Sequence, residues 1–479
     1  MSQAAPAFPT TVGAEPARSF ARQHFGAADL GHQKRNACLA RVAEKICRHP
    51  GGTLPTKLAD PNDYKAMDAL MNPEEVTHQS VLAPHLRRTG DLIASAQDVV
   101  LVLHDTTDLD YSGLGIPELG PIGNGGGRGY LCHNSLAVDP RNKEVLGLAL
   151  QILHARVPAP KKEGVKAKRQ RKSRGSRLWS TAVEALGRPA GGVHVVDVAD
   201  RGADIFEFLA KEKELGRRCL VRACYNRAIK AGHDGEGEKT LLFDYLRSLP
   251  AAGKQAKKIF DRALGRERQA SLAVAYAAVE LQVPHVKKGE YANVPIPVWA
   301  VRVWEPNPPA GQKPLEWFLV SLEPVTSVED AWQRCGWYEC RYMVEEYHKG
   351  QKTGCDIERL QFTTQQALQP MIALLSVVAV MLLNLRLACR QPEAATRKAS
   401  EVIDPHYEEI LRAWRYKTPR PEMTVKEFFM ALARLGGHMN RESDGDPGWL
   451  VLWRGWMKLQ SMLDGAEAER RRQKKCRVT

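Results

Sequence analysis

Nowhere in these 479 residues is there a CxxC pair or a histidine at finger spacing from a cysteine. The ten cysteines (38, 47, 132, 219, 224, 335, 340, 355, 389, 476) are scattered. That argues against a structural zinc and for free thiols in a reducing cytoplasm. A membrane-length apolar run is missing too. The most apolar stretch, "MIALLSVVAVMLL" (371–383), is followed by Asn384 and Arg386; it is too short to span a bilayer and is expected as a buried core helix. The start, "MSQAAPAFPTTVGAEPARSF", has no basic region leading into an apolar stretch, so it is read as a loose arm and not an export signal. The glycine-rich "GPIGNGGGRGY" (120–130) lacks GxGxxG spacing and opens no helix, which leaves a flexible turn and not a dinucleotide loop. No internal repeat is evident.

Positive charge is in excess. Lys plus Arg exceed Asp plus Glu by 69 − 55 = 14, a balance that suits a polyanionic partner. A hydrophobic share of 43% against 26% charged excludes a disordered chain. The length allows about two to four domains.

Residues 31–48 place Cys38, Leu39, Val42 and Ile46 on one helical face, with Lys34, Arg35, Arg41, Lys45 and Arg48 around the other. A second amphipathic segment, "DYKAMDALMNP", stops at Asn72-Pro73. Together they predict a small helical unit with a cationic face. Val99–Leu103 is an apolar run of strand length with Asp105 just past its end, and "VHVVDV" (193–198) is a second with Asp200 behind it. "SLAVDPRNKEVLGLALQIL" (135–153) reads as two strands about a turn, and "RCLVRAC" (218–224) as another strand. Residues 161–177 carry nine basic residues against one Glu, either a solvated loop or a nucleic-acid contact. From about 230 to 325 the patterns alternate, which predicts a β-rich insertion; beyond about 386 the chain turns helical.

Tyr338, Arg341, Glu345 and Lys352 in "YECRYMVEEYHKGQK" follow one another at helical intervals. At about 100° per residue they fall within a stripe roughly 60° wide. A solvated face with i,i+4 charge pairs would carry the same pattern. So would a phosphate-handling site in which an acid is flanked by two cations and a phenol. Two aspartates at strand ends and a glutamate on a later helix make a geometrically sensible acid triad. Its carboxylates would repel one another unless hard cations such as Mg²⁺ or Mn²⁺ bind. Two such ions could activate a water or a 3′-hydroxyl against a phosphodiester.

Three motifs carry a resemblance. "HDTTDLDYS", "DRGADIFEFL" and the spacing Y-(2)-R-(3)-E-(6)-K beginning at Tyr338 are similar to the signature of the DDE cut-and-paste transposases, in particular the insertion-sequence-four family. The likeness also covers "GAADLGHQKRNACLARVA", "PLEWFLVSLEPV", "ARLGGHMN" and "LWRGWMKLQSMLDG", and is weakest at residues 1–15, 155–178 and 391–420.

The resemblance implies an α/β fold. An RNase H-like catalytic core (86–385) would contain the β-rich insertion, flanked by an N-terminal helical DNA-binding domain (1–85) and a C-terminal helical dimerisation domain (386–479). It selects Asp105 over Asp108 and Asp110, and Asp200 over Asp197, as metal ligands with Glu345 for two Mg²⁺ or Mn²⁺ ions. Tyr338, Arg341 and Lys352 would hold phosphates of the terminal nucleotides. Trp317 would stack on a flipped base during hairpin formation, and Arg222 would contact DNA. On strand pattern alone Trp317 is equally a core residue, and Trp449, Trp453 and Trp456 read as core.

The implied partners are double-stranded DNA, as terminal inverted repeats and target, and a second copy of the chain in the DNA-bound complex, with no membrane. The implied setting is the bacterial cytoplasm, with nucleoid association when DNA is bound. A catalytically silent DNA-binding relative or inhibitor, or a resolvase-like nuclease on the same core, remains as an alternative.

Overall fold

The computed structural model describes residues 14–157, 175–233, 237–261, 266–285, 294–312, 314–441, 444 and 447–476. The basic loop singled out in the sequence lies almost wholly outside the described residues. The chain folds as mixed α/β, with helices at both ends of one large mixed sheet.

The N-terminal helices are α1 (Ala14–Phe25), α2 (Gln33–Arg48), α3 (Leu54–Leu58), α4 (Pro61–Met71) and α5 (His78–Ala94). Residues from Ala14 onward are thus helix and not a loose arm: Phe20 and Phe25 are fully buried, and that apolar face anchors the segment. Within α2, Leu39, Val42 and Ile46 are buried as the periodicity predicts, while Cys38 is only half-buried. The opposite face is less cationic than its sequence suggests, because Arg35 pairs with Glu75, Arg41 and Lys45 with Asp63, and Arg48 with Glu44. Helix α5 runs across residue 85 and packs on the sheet.

Among the described residues twelve strands form the sheet. The first six are β1 (Val100–Asp110), β2 (Gly120–Ile122), β3 (Gly127–Asp139), β4 (Glu144–His154), β5 (Val195–Ala199) and β6 (Arg218–Arg222). Between β4 and β6 lie α6 (Leu178–Leu186) and α7 (Phe206–Glu214). The insertion supplies β7 (Ala228–Ala231), β8 (Lys239–Leu241), α8 (Leu242–Ser248), β9 (Gly253–Asp261), β10 (Arg266–Leu281), β11 (Ile296–Trp304) and β12 (Glu316–Ser321). The main strand order is β2-β3-β1-β5-β6-β12-β11-β10-β7-β8, with β4 beside β3 and β9 beside β10. β5 runs parallel to β1 and β6 parallel to β5; β3 and β12 are antiparallel to their neighbours. The insertion therefore extends the sheet through β12.

Side chains alternate across this sheet. Leu101, Leu103, Val196, Val198, Leu220 and Leu319 enter one buried cluster; Ala199, Cys219, Val221, Phe318 and Val320 enter the other. The first face is covered by α9 (Val328–Glu339), α10 (Tyr342–Lys349) and the 24-residue α11 (Gln365–Ala388). α11 is long and apolar enough to cross a membrane, but 89% of its most apolar window is buried against the rest of the fold. The chain continues with α12 (Pro405–Arg415), α13 (Val425–Leu435) and α14 (Trp449–Cys476). α13 and α14 cross closely at two glycines: a Cβ on Gly455 would stand 1.9 Å from the Leu432 carbonyl oxygen, and one on Gly436 1.9 Å from that of Val451. Trp449, Trp453 and Trp456 are buried at this junction, as core.

Asp197 and His104 face the second cluster. Arg217 donates to both Asp197 carboxylate oxygens, at 2.7 and 2.8 Å, and His104 Nε2 stands 2.8 Å from Oδ1. Burial alone would raise this carboxyl; Arg217 and His104 outweigh it and hold the value at about 2. Removing one partner strands a charge in the interior. Arg217→Met is expected to cost about 3–5 kcal/mol, read as a lower midpoint in urea unfolding; an unchanged midpoint would contradict this pairing.

Candidate active site

β1 extends to Asp110, so Asp105 lies within the strand and not past its end as the apolar run implied. The extension comes from β3, which pairs along β1 as far as Asp110↔Gly129. On its other side β1 loses its partner earlier: the parallel register with β5 closes at His104↔Ala199, and that of β5 with β6 at Ala199↔Val221. The next residues on the three strands are Asp105, Asp200 and Arg222. They form one row across the sheet, about 4.8 Å apart in the strand-to-strand direction. By parity Asp105 belongs with Leu101 and Leu103, and Arg222 with Leu220, so both belong to the face covered by α9 and α10. Arg222 is opposite Leu319 on β12. Trp317, two residues along β12, lies on the same face beside the row, with the Arg222 guanidinium 5.5 Å from its ring centre.

The helical side of the site departs from a single regular helix. α9 ends at Glu339 and α10 starts at Tyr342, yet Cys340 and Arg341 keep right-handed helical angles. The junction is tightened into i→i−3 bonds, from Arg341 N to Tyr338 O (3.1 Å), Met343 N to Cys340 O (2.9 Å) and Val344 N to Arg341 O (3.2 Å). Direction is conserved across this junction, so Tyr338, Arg341 and Glu345 stay on one side. Lys352 lies within a π turn, Gly350–Gly354, and its ammonium stands 3.0 Å from Glu358. Glu358 in turn accepts from the Asp110 amide at 2.9 Å. Lys352 thus sits toward the far end of β1, apart from the other three.

Arg341 is the link between sheet and helix. Its guanidinium donates to Asp105 Oδ2 at 3.4 Å and also bonds Glu345. Burial works against its charge, but Glu345, with Tyr338 and Asp105, holds it protonated above its ordinary range. Tyr338 is buried edge-on against Trp317, ring centres 5.3 Å apart at 70°, and interacts with Arg222. Trp317 itself is only half-buried. Burial lowers Arg222 from the ordinary arginine range, and Tyr338 partly offsets this. The structure therefore gathers Asp105, Asp200, Arg222, Trp317, Tyr338, Arg341 and Glu345 at one face.

The neighbouring acids have other duties. Asp108 accepts from the Gly123 amide at 3.0 Å, and Asp110 from the Ser112 amide at 2.9 Å, so both brace turns. Asp200 accepts from the Gly202 amide at 2.7 Å. His348, 3.1 Å from the Asn134 amide nitrogen, is pushed down to about 3 by burial, with Lys352 and Arg341 adding to the effect. A neutral imidazole there ties α10 to β3. Sequence reading missed the partners Glu358 and Glu346. Glu346 accepts from Trp449 Nε1 at 2.7 Å and pairs with Arg386, joining the helix of Glu345 to α11 and α14. Its adjacency to Glu345 was the available signal, since consecutive helical residues point about 100° apart.

Among the described residues no three His, Cys, Asp or Glu side chains already form a closed metal-binding group. Arg341 stands between Asp105 and Glu345. The electrostatics nonetheless fit a cation. Asp105 is raised from an ordinary 3.8 to about 6, first by burial, then by Asp200, with a smaller push from Glu345; the Thr106 amide and Arg341 oppose this.

One comparison bears on identity. Residues 17–76, covering nearly all of α1 through α4, match the transposase DNA-binding family. That match supports a transposase that uses DNA as a partner; it does not reach the carboxylate row.

The raised Asp105 carboxyl predicts a pH-dependent liability. Between pH 3.8 and about 6 the unfolded carboxyl is ionised while the folded one keeps its proton. Stability is therefore lost as pH rises through that window, and the penalty is complete above it. The gap of about two units corresponds to at most ~3 kcal/mol. With chelator present, Asp105→Asn is expected to stabilise the chain by up to about that amount at pH 7.5. The advantage should shrink as pH is lowered toward 4.5. Urea midpoints that do not separate at pH 7.5 would refute it.

Proposed function

We propose that the protein is a cut-and-paste DNA transposase of the insertion-sequence-four type, the kind encoded by transposon Tn-five, and that Asp105, Asp200 and Glu345 are its catalytic carboxylates. The observation that carries this reading is the shared register of β1, β5 and β6. It sets Asp105 beside Asp200 on the face where α10 carries Glu345. The antiparallel β4-β3-β1 followed by parallel β5 and β6 also supports an RNase H-like core.

Mg²⁺ or Mn²⁺ held by these three side chains would supply an activated oxygen nucleophile and neutralise charge on the leaving oxygen. The chain's own groups would position the DNA. Arg341, freed from the carboxylates as they bind cations, can fork two phosphate oxygens; Lys352 adds a point charge. Tyr338 can offer a hydroxyl hydrogen bond without charge. Each step is an in-line displacement at phosphorus: nicking, attack of the freed 3′-hydroxyl on the opposite strand to form a hairpin, hairpin opening, and strand transfer into target DNA. Two protomers would act on paired inverted-repeat ends. A silent relative would not need an intact row of carboxylates, and a resolvase-like nuclease would not need Trp317.

Asp105→Ala, Asp200→Ala and Glu345→Ala are each expected to abolish metal-dependent nicking while leaving end-DNA affinity within a few-fold, measured on labelled ends. Near-normal nicking by any one of them would remove that residue from the role.

Trp317 tests the hairpin step. Extruding a base costs a few kcal/mol, and stacking it on a ring returns about 1–3 kcal/mol. Trp317→Ala is expected to spare the first nick and slow hairpin formation roughly 10- to 100-fold, with partial recovery in Trp317→Phe. Denaturing gels over time would show nicked DNA accumulating. If nicking and hairpin formation fell together, Trp317 would be a packing residue.

A further inference from the structure

Three residues past Arg222, a second aromatic–guanidinium pair stands outside the site described so far. Tyr225 is 59% exposed, and the Arg227 guanidinium lies 5.4 Å from its ring centre. The loop that presents it is held on both sides. Asp204, itself buried, accepts from the amides of Cys224 (2.7 Å) and Tyr225 (3.0 Å) and pairs with Arg227 at 2.6 Å. Asn226 bonds Asp244 at 3.1 Å and accepts from the Phe243 amide at 2.7 Å. An exposed phenol on so tethered a loop loses little conformational freedom when it meets a ligand. Arg227 also lines a cleft of about 660 Å³ whose other walls include the exposed Lys239 and His285 and the half-buried Gln282, with no carboxylate among the described lining side chains. Its size suits a nucleotide.

We propose that Tyr225 and this cleft bind an unpaired nucleotide of a DNA strand leaving the active-site row at Arg222. The base stacks on the Tyr225 ring and the phosphate lies against Lys239. Arg227 is a positioning residue, because its fork is committed to Asp204 and only its face meets the ring. An open ring face recognises unstacked bases of any sequence, whereas a duplex offers none between its pairs. This inference rests on the proposed DNA-processing role and adds a second stacking platform beside Trp317.

The test uses the full chain and a labelled oligothymidylate, with a duplex of equal length as control, followed by fluorescence anisotropy over a salt series. Tyr225→Ala is expected to weaken the single strand about 10-fold without changing the salt slope, and Tyr225→Phe to stay within about 2-fold of the native chain. Lys239→Gln should flatten the slope by about 0.7, the value of one phosphate contact on a single strand. Duplex affinity should be unchanged in all three. Unchanged oligothymidylate binding by Tyr225→Ala, or equal weakening of the duplex, would overturn the proposal. Nicking by the same preparations separates the two readings. Intact nicking with no Tyr225 effect defeats only this inference, and a Tyr225 effect without nicking defeats only the catalytic assignment.

Discussion

The site depends on a register. Because β1, β5 and β6 run parallel and in step, the residues just beyond His104↔Ala199↔Val221 reach one row without any contact having to select them. A slip of one residue between β1 and β5 would set Ala199 or Arg201, not Asp200, level with Asp105 and reverse which face one strand's side chains take. That slip is resisted by apolar residues on both faces. Leu101 and Leu103 feed one cluster, while Ala199 and Val221 feed the other. The buried Asp197–Arg217–His104 group belongs to the same system. It fixes β5 from below, at a position where an unpaired charge would be intolerable.

Charge balance above the sheet follows from this row. Burial makes the ionised form of Asp105 costly, and two carboxylates, Asp200 and Glu345, add to that cost. Within the chain the compensation comes from Arg341, which spans Asp105 and Glu345. The same guanidinium is the group best shaped to fork a phosphate. Under the proposed function, cation and DNA binding would be coupled through this one side chain, since neutralising the carboxylates would release the arginine to meet a phosphate.

The helix bearing Glu345 is itself held from behind. Glu346 bonds Trp449 and Arg386, Tyr347 donates to the Ser376 carbonyl at 3.0 Å, and His348 meets Asn134. Three consecutive residues thus tie α10 to α14, α11 and β3, while Glu345 before them faces the row. The C-terminal helices consequently bear on the position of a candidate catalytic group, although they contribute no residue to it.

Much of the architecture was legible in the residues themselves. Apolar runs marked the β1, β5 and β6 regions, periodicity placed the buried face of α2, and the 371–383 run marked a core helix, although that helix is 24 residues long and its burial, not its length, identifies it as core. Motif spacing also picked out Tyr338, Arg341 and Glu345, because a helical period survives the tightened turn at Cys340. Three matters needed the folded chain. The true length of β1 is set by β3, a partner distant in sequence. The neutralisation of the α2 cations depends on Asp63 and Glu75, which no helical period links to them. The separation of Lys352 from its fellows arises where the π turn shifts the helical phase and Glu358 captures the ammonium. Local pattern determines which face a residue takes on its own element. Which elements stand side by side, and in what step, is a property of non-local pairing, and that pairing made a row out of Asp105, Asp200 and Arg222.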